Sequence, residues 1–130
     1  MNHATDTALI EAAAMARMRA YAPYSQFLVG AALVAADGTV HLGCNVENAS
    51  YGLTQCAERV AVSAAVAAGH REFSRLALAS SGGVMPCGAC RQVLAEFCRD
   101  LPILLIDVDR QNAVQEVRLA DIFPGRFELK

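Results

Sequence analysis

No stretch of this sequence is long and apolar enough to cross a membrane. One long run without a charge, residues 76–90, contains Pro86 and five glycine or serine residues, whereas a spanning helix needs about 20 apolar residues. The N-terminus also lacks the order of a secretory signal, because Asp6 and Glu11 interrupt the apolar block. A cytoplasmic protein is therefore expected. Excess positive charge is missing too: 11 basic residues face 13 acidic ones, for a net charge of −2. The basic residues are scattered, so no phosphate-binding track forms and nucleic acid is not an expected partner. Gly82-Gly83 is not followed by a Gly-x-x-x-x-Gly-Lys pattern and reads as a flexible loop. No repeat, low-complexity tract or linker divides the chain, so residues 1–130 read as a single domain able to bury most of a core.

Present instead are many alanines and five cysteines. The hydrophobic fraction of 55% and mean hydropathy of +0.31 are high, and alanine supplies much of the excess. Alanine-rich helices lying close on a sheet would account for it. The fraction also exceeds what one core of this size needs, which suggests apolar surface buried between copies of the chain. Cys44, Cys56, Cys87, Cys90 and Cys98 are an odd number for disulfides. A reducing cytosol would keep them as thiols, which points toward metal or catalysis.

Hydrophobic pattern and breakers divide the chain into eight elements. Residues 7–19 predict a helix ended by Tyr21-Ala-Pro-Tyr-Ser. Residues 27–35 and 39–46 read as strands joined by Asp37-Gly38, a strong hairpin signal. Residues 56–68 predict a helix closed by Gly69. A short strand over 75–80 and a helix over 87–99, starting just after Pro86, come next. Strands over 101–108 and 113–119 end the series. Helices alternating with strands imply an α/β sheet covered on both faces.

The chemistry is carried by Cys56-Ala-Glu58 and Pro86-Cys87-Gly-Ala-Cys90, each opening one of the two long helices. Two cysteines three apart at a helix start can bind one ion, and a third from the neighbouring helix completes a three-ligand set. Three protein ligands leave the fourth tetrahedral position open, as catalytic zinc requires. The dipole ends and free N–H groups of both helices would stabilise the anionic thiolate cluster. Arg59 could donate a further hydrogen bond to sulfur. Glu58 sits two residues beyond Cys56 and can approach the open side without ligating. A zinc ion brings a water's pKa toward neutrality, and such a carboxylate can take and redeliver the proton.

At these residues the chain resembles the small, homotetrameric, zinc-dependent cytidine deaminases. Tyr21-Ala-Pro-Tyr-Ser-Gln-Phe-Leu-Val-Gly-Ala-Ala-Leu33 is similar to the family's first-strand signature, and Gly43-Cys-Asn-Val-Glu-Asn-Ala-Ser-Tyr-Gly52 to its nucleoside-binding segment. Cys56-Ala-Glu-Arg59, Pro86-Cys-Gly-Ala-Cys-Arg-Gln-Val-Leu94 and Phe123-Pro-Gly-Arg-Phe127 complete the likeness over nearly the whole chain. It implies a three-layer α/β/α sandwich around a five-stranded mixed sheet, one Zn²⁺ per chain, and hydrolytic deamination of cytidine and deoxycytidine in pyrimidine salvage. By the resemblance, Cys56, Cys87 and Cys90 hold zinc and Glu58 shuttles protons. Asn45 and Glu47 would bind the ribose hydroxyls, Phe27 would pack near the ring, and the Ala57 N–H would receive the base carbonyl. Tyr51 and Phe127 would enter from neighbouring subunits.

Blander readings compete. Cys44 and Cys98 have no ligand neighbour and read as buried apolar thiols. His3, His41 and His70 show no metal spacing. On spacing alone, Asn45 and Glu47 could be a solvated strand end, and Phe27, Tyr51 and Phe127 core or surface aromatics. Two functional rivals stand beside the main reading. One is a deaminase of a related nucleoside such as blasticidin S, or of cytosines in nucleic acid. Asn45-x-Glu47 favours a free nucleoside, since it offers hydrogen bonds to hydroxyls where a polymer has phosphodiesters. The other is a closed structural zinc module with Cys44 or Cys98 as fourth ligand, which would have no need for Glu58.

Overall fold

The computed structural model describes residues 3–129, with side chains from Asp6 onward. The side chain of His3 lies outside the described ones. In chain order the elements are α1 (His3–Arg17), β1 (Gly30–Ala35), β2 (Val40–Cys44), α2 (Ala57–Ala67), β3 (Phe73–Ser80), α3 (Gly88–Phe97), β4 (Pro102–Asp107), β5 (Ala113–Arg118) and α4 (Leu119–Ile122). The strands form one sheet in the order β2-β1-β3-β4-β5. Only the β3–β4 pair is parallel; the other three are antiparallel, so the sheet is mixed as expected.

Side-chain alternation sends successive strand residues to opposite faces. Ala31, Leu33, Leu76, Leu78, Ile103 and Leu105 point to one face and pack on α2 and α3. Ala32, Val34, Ala77, Ala79, Leu104 and Ile106 point to the other, beneath Leu9 and Ala13 of α1. The result is the three-layer sandwich, with β1 buried along its whole length. Alanine does what its abundance implies. Ala57, Ala61 and Ala65 form a buried stripe at helical spacing along α2. Gly43 lies so close beneath this stripe that an added Cβ would fall 2.3 Å from the Ala57 carbonyl oxygen.

Several boundaries differ from expectation, each for a local reason. The strand expected from residue 27 enters the sheet only at Gly30, because Asn45 captures the backbone of Phe27 and Val29. The β2 strand ends at Cys44, two residues early, since Val46 pairs instead with Tyr21 and Gln55. The first helix runs from His3 to Arg17. The β3 strand starts earlier, at Phe73, whose ring packs edge-on against Phe97 at 5.7 Å. The short α4 helix after β5 has no counterpart in the sequence reading. At the end of α2 Gly69 adopts φ +97°, and His70 N–H bonds back to the Ala65 carbonyl, a Schellman closure.

Candidate active site

Cys56 and Cys87 are the N-cap residues of α2 and α3, and Cys90 lies in the first turn of α3. The two helices lie on the same face of the sheet, so their N-terminal ends bring the three sulfurs together. The Sγ atoms of Cys56 and Cys87 are 3.9 Å apart, those of Cys87 and Cys90 are 3.3 Å apart, and all three lie within 4.8 Å of one another. A tetrahedral zinc with Zn–S bonds of about 2.3 Å separates its sulfurs by about 3.8 Å, so the cluster fits that ion nearly as it stands. Soft thiolate donors suit zinc as well. Cys44 and Cys98 are not in this group, which removes the fourth ligand that a closed structural site needs.

Electrostatics favour the thiolate at Cys56. Cys56 is pushed down to about 5, chiefly because Cys90 donates a hydrogen bond to it, with Arg59 and Cys87 assisting against the cost of burial. The Cys90 thiol, the donor in that pair, is pushed up. Arg59 Nη2 lies 3.6 Å from Cys56 Sγ and 3.3 Å from the Thr54 carbonyl oxygen. Its Nε is buried without a partner, so a positive charge is held here that an anionic metal–thiolate cluster would balance. Cys98, by contrast, is buried and pushed up to about 11 by desolvation, which suits an inert thiol.

A cleft of about 270 Å³ opens beside the sulfurs, and Phe27, Asn45, Glu47, Cys56, Ala57, Glu58 and Cys87 all line it. Glu58, in the first turn of α2, is 5% exposed. Burial raises its carboxyl above the ordinary range, and the nearby Cys56 charge adds to this. As the first residue of α2, Ala57 has an N–H without an intrahelical partner. Asn45 is buried, and its amide both accepts from Val29 N–H (2.9 Å) and donates to the Phe27 carbonyl (2.8 Å). Glu47 Oε1 accepts from the N–H groups of Tyr24 and Ser25 at 3.0 and 3.2 Å. Both residues thus fasten the chain around the cleft as well as facing it.

Two of the expected residues stand apart. Tyr51 is 79% exposed in a single 3₁₀ turn, its ring edge-on to Tyr24, and Phe127 is 66% exposed. Neither lines the cleft of its own chain. The sequence reading missed Ser25, Thr54, Gln55, Val84 and Met85, which also line it. Val84 and Met85 precede Pro86 in what reads as a plain loop, and only that adjacency could have marked them. Ser25 lies within the first-strand signature.

Comparison with known proteins agrees with this geometry. Residues 3–104 match the family model for the cytidine and deoxycytidylate deaminase zinc-binding region. Over 122 residues the chain is 48% identical to a cytidine deaminase of Sporosarcina psychrophila, covering 92% of this chain and 88% of that one. A cytidine deaminase of Mycobacterium tuberculosis is 47% identical over 119 residues, covering 90% and 85%. A crystal structure of cytidine deaminase from Burkholderia pseudomallei superposes with a TM-score of 0.89 at 51% identity, covering 98% of this chain and all of that one. With its thiolate triad and buried glutamate at one cleft, the chain belongs to the zinc-dependent cytidine and deoxycytidylate deaminase family.

Proposed function

We propose that this chain, as one catalytic domain over residues 1–130, hydrolyses cytidine and deoxycytidine to uridine and deoxyuridine, releasing ammonia, as a step of pyrimidine salvage in the cytoplasm. The observation that carries the reading is the meeting of three sulfurs within 4.8 Å and the buried Glu58 at one cleft. Cys56, Cys87 and Cys90 would hold the zinc, which when bound supplies Lewis-acid activation of water near neutral pH. Glu58 then takes a proton from the attacking water and delivers it to N3 of the ring as C4 is attacked. The same carboxylate then takes the second proton from the new C4 hydroxyl and delivers it to the amine, so that C4=O forms as the C4–N bond breaks, and one water has entered for one ammonia released. A carboxyl raised by burial holds its proton more firmly than an exposed one, which suits donation as well as acceptance.

Substrate orientation falls to the remaining residues. The Ala57 N–H would receive the base carbonyl, Phe27 would cover the ring, and Asn45 and Glu47 would take the ribose hydroxyls. The cleft contains two carboxylates and no Lys, Arg or His, which favours an uncharged nucleoside over a nucleotide or a polynucleotide. The relatives' names favour cytidine over an antibiotic nucleoside. Met15, Met18, Tyr51, Leu53 and Phe127 are each more than half exposed. Their exposure supports a homotetramer in which Tyr51 and Phe127 complete a neighbour's site. The reading is tested by following loss of cytidine absorbance on conversion to uridine, with and without a zinc chelator. Turnover that a chelator abolishes and added zinc restores is expected; turnover indifferent to chelation would refute it.

A further inference from the structure

Residues 24–29 run beside the cleft without belonging to the sheet, with Ser25, Phe27 and Val29 lining it, and two polar side chains from beyond β2 hold them. Asn45 takes Phe27 and Val29, while Glu47 Oε1 takes the backbone N–H groups of Tyr24 and Ser25. Between these anchors lies Ser25. Its hydroxyl donates to Glu47 Oε2 and accepts from the Phe27 N–H at 3.0 Å. Gln26, enclosed by this loop, has φ +57°, a left-handed backbone uncommon for a residue with a Cβ. A serine hydroxyl has one proton to give. That proton goes to the carboxylate, while a lone pair serves the backbone of the aromatic residue.

We infer that Ser25 is a positioning residue for substrate, setting the direction of the Glu47 carboxylate and of Phe27 together. The inference rests on the reading that Glu47 and Phe27 contact the nucleoside. With Oε1 occupied by two N–H groups, Oε2 is the oxygen whose direction decides whether a ligand hydroxyl meets a lone pair. Ser25 holds that oxygen and, through the Phe27 N–H, fixes how the ring approaches the cleft. The Ser25 bond is also the main reason why Glu47 titrates below its ordinary value, with backbone N–H groups of Ser25 and Tyr24 contributing less. The titratable groups that share the two hollows with Glu47 are Tyr24 and Tyr51 on one side and Cys56, Glu58 and Cys87 on the other, and no cation lines either hollow.

The experiment measures steady-state deamination of cytidine by Ser25→Ala, Ser25→Thr, Glu47→Ala and the Ser25→Ala/Glu47→Ala double variant. Loss of a hydrogen bond to a charged group should raise KM about tenfold in Ser25→Ala, with kcat changed by less than about threefold. Ser25→Thr, which keeps the hydroxyl, should restore most of it. In the Glu47→Ala background the Ser25→Ala effect should shrink to under about threefold, as expected for residues acting through one another. If Ser25→Ala fails to fold, Ser25→Cys carries the same comparison. An elevated KM in Glu47→Ala with an unchanged KM in Ser25→Ala, or equal Ser25→Ala effects in both backgrounds, overturns the inference alone. An unchanged KM in Glu47→Ala overturns the inference together with the reading beneath it.

Discussion

Gly43 lies on β2 directly beneath the first turns of α2, the helix that carries Cys56, Ala57 and Glu58. In Gly43→Ala the new Cβ would sit 2.3 Å from the Ala57 carbonyl oxygen and 2.5 Å from the Ala61 nitrogen. These are backbone atoms and cannot rotate aside. Reaching even 3.0 Å requires the helix to lift by about 0.7 Å. Overpacking of this kind costs about 1–3 kcal/mol, and each kcal/mol lowers Tm by roughly 3–5 °C in a chain of this size. The expected fall in Tm is therefore roughly 3–15 °C. Metal–ligand distances tolerate about 0.2 Å, and a misplacement near 1 Å at a reacting centre can cost about 10²-fold. Gly43→Ala should thus also lose at least about tenfold in kcat/KM. The control is Gly52→Ala, where no atom lies within 4 Å of the added Cβ. Differential scanning fluorimetry and the cytidine absorbance assay on both variants decide the matter. A Gly43→Ala protein that matches its control in Tm and kcat/KM would refute the reasoning.

Three more outcomes are expected. Glu58→Gln should keep fold and zinc content, because glutamine has nearly the same shape, while activity falls about 10²–10⁴-fold; a loss under tenfold would contradict proton transfer by Glu58. Cytosine, the free base, should be a very poor substrate beside cytidine if Asn45 and Glu47 recognise ribose, since binding energy remote from the reacting centre is then missing. Comparable turnover of the two would remove that assignment. Mixing inactive Glu58→Gln chains with weakened Phe127→Ala chains and reassembling them should restore some activity, because hybrid oligomers contain sites with both residues intact. No gain despite proven subunit exchange, or a fully active monomer, would defeat a shared site.

The order of elements and the two cysteine-bearing helix starts were legible because each rests on local chemistry. An Asp-Gly turn, a closing glycine and a proline before Cys87 act within a few residues. Cys56 and Cys87 proved to be N-caps, one position outside the helices they were expected to begin, while Cys90 lies in the first turn of α3. What could not be read was long-range pairing. Nothing in residues 27–29 announces that Asn45, 16 residues after Val29, will take their backbone groups out of the sheet. The Glu47–Ser25–Phe27 chain joins segments 22 residues apart, and only the folded backbone brings them into register. Resemblance named Asn45 and Glu47 as ligand contacts, and the structure adds their part in building the cleft wall. Tyr51 and Phe127 do not border the cleft of their own chain.

The most direct test of the account is zinc stoichiometry, measured by atomic emission on purified protein. About one ion should accompany each wild-type chain, and each Cys44→Ala or Cys98→Ala chain, because three thiolates suffice for a catalytic site with an open position. The Cys87→Ala/Cys90→Ala double variant should hold almost none and should not deaminate cytidine. Full zinc content in that double variant, or its loss in Cys44→Ala or Cys98→Ala, would contradict the thiolate triad.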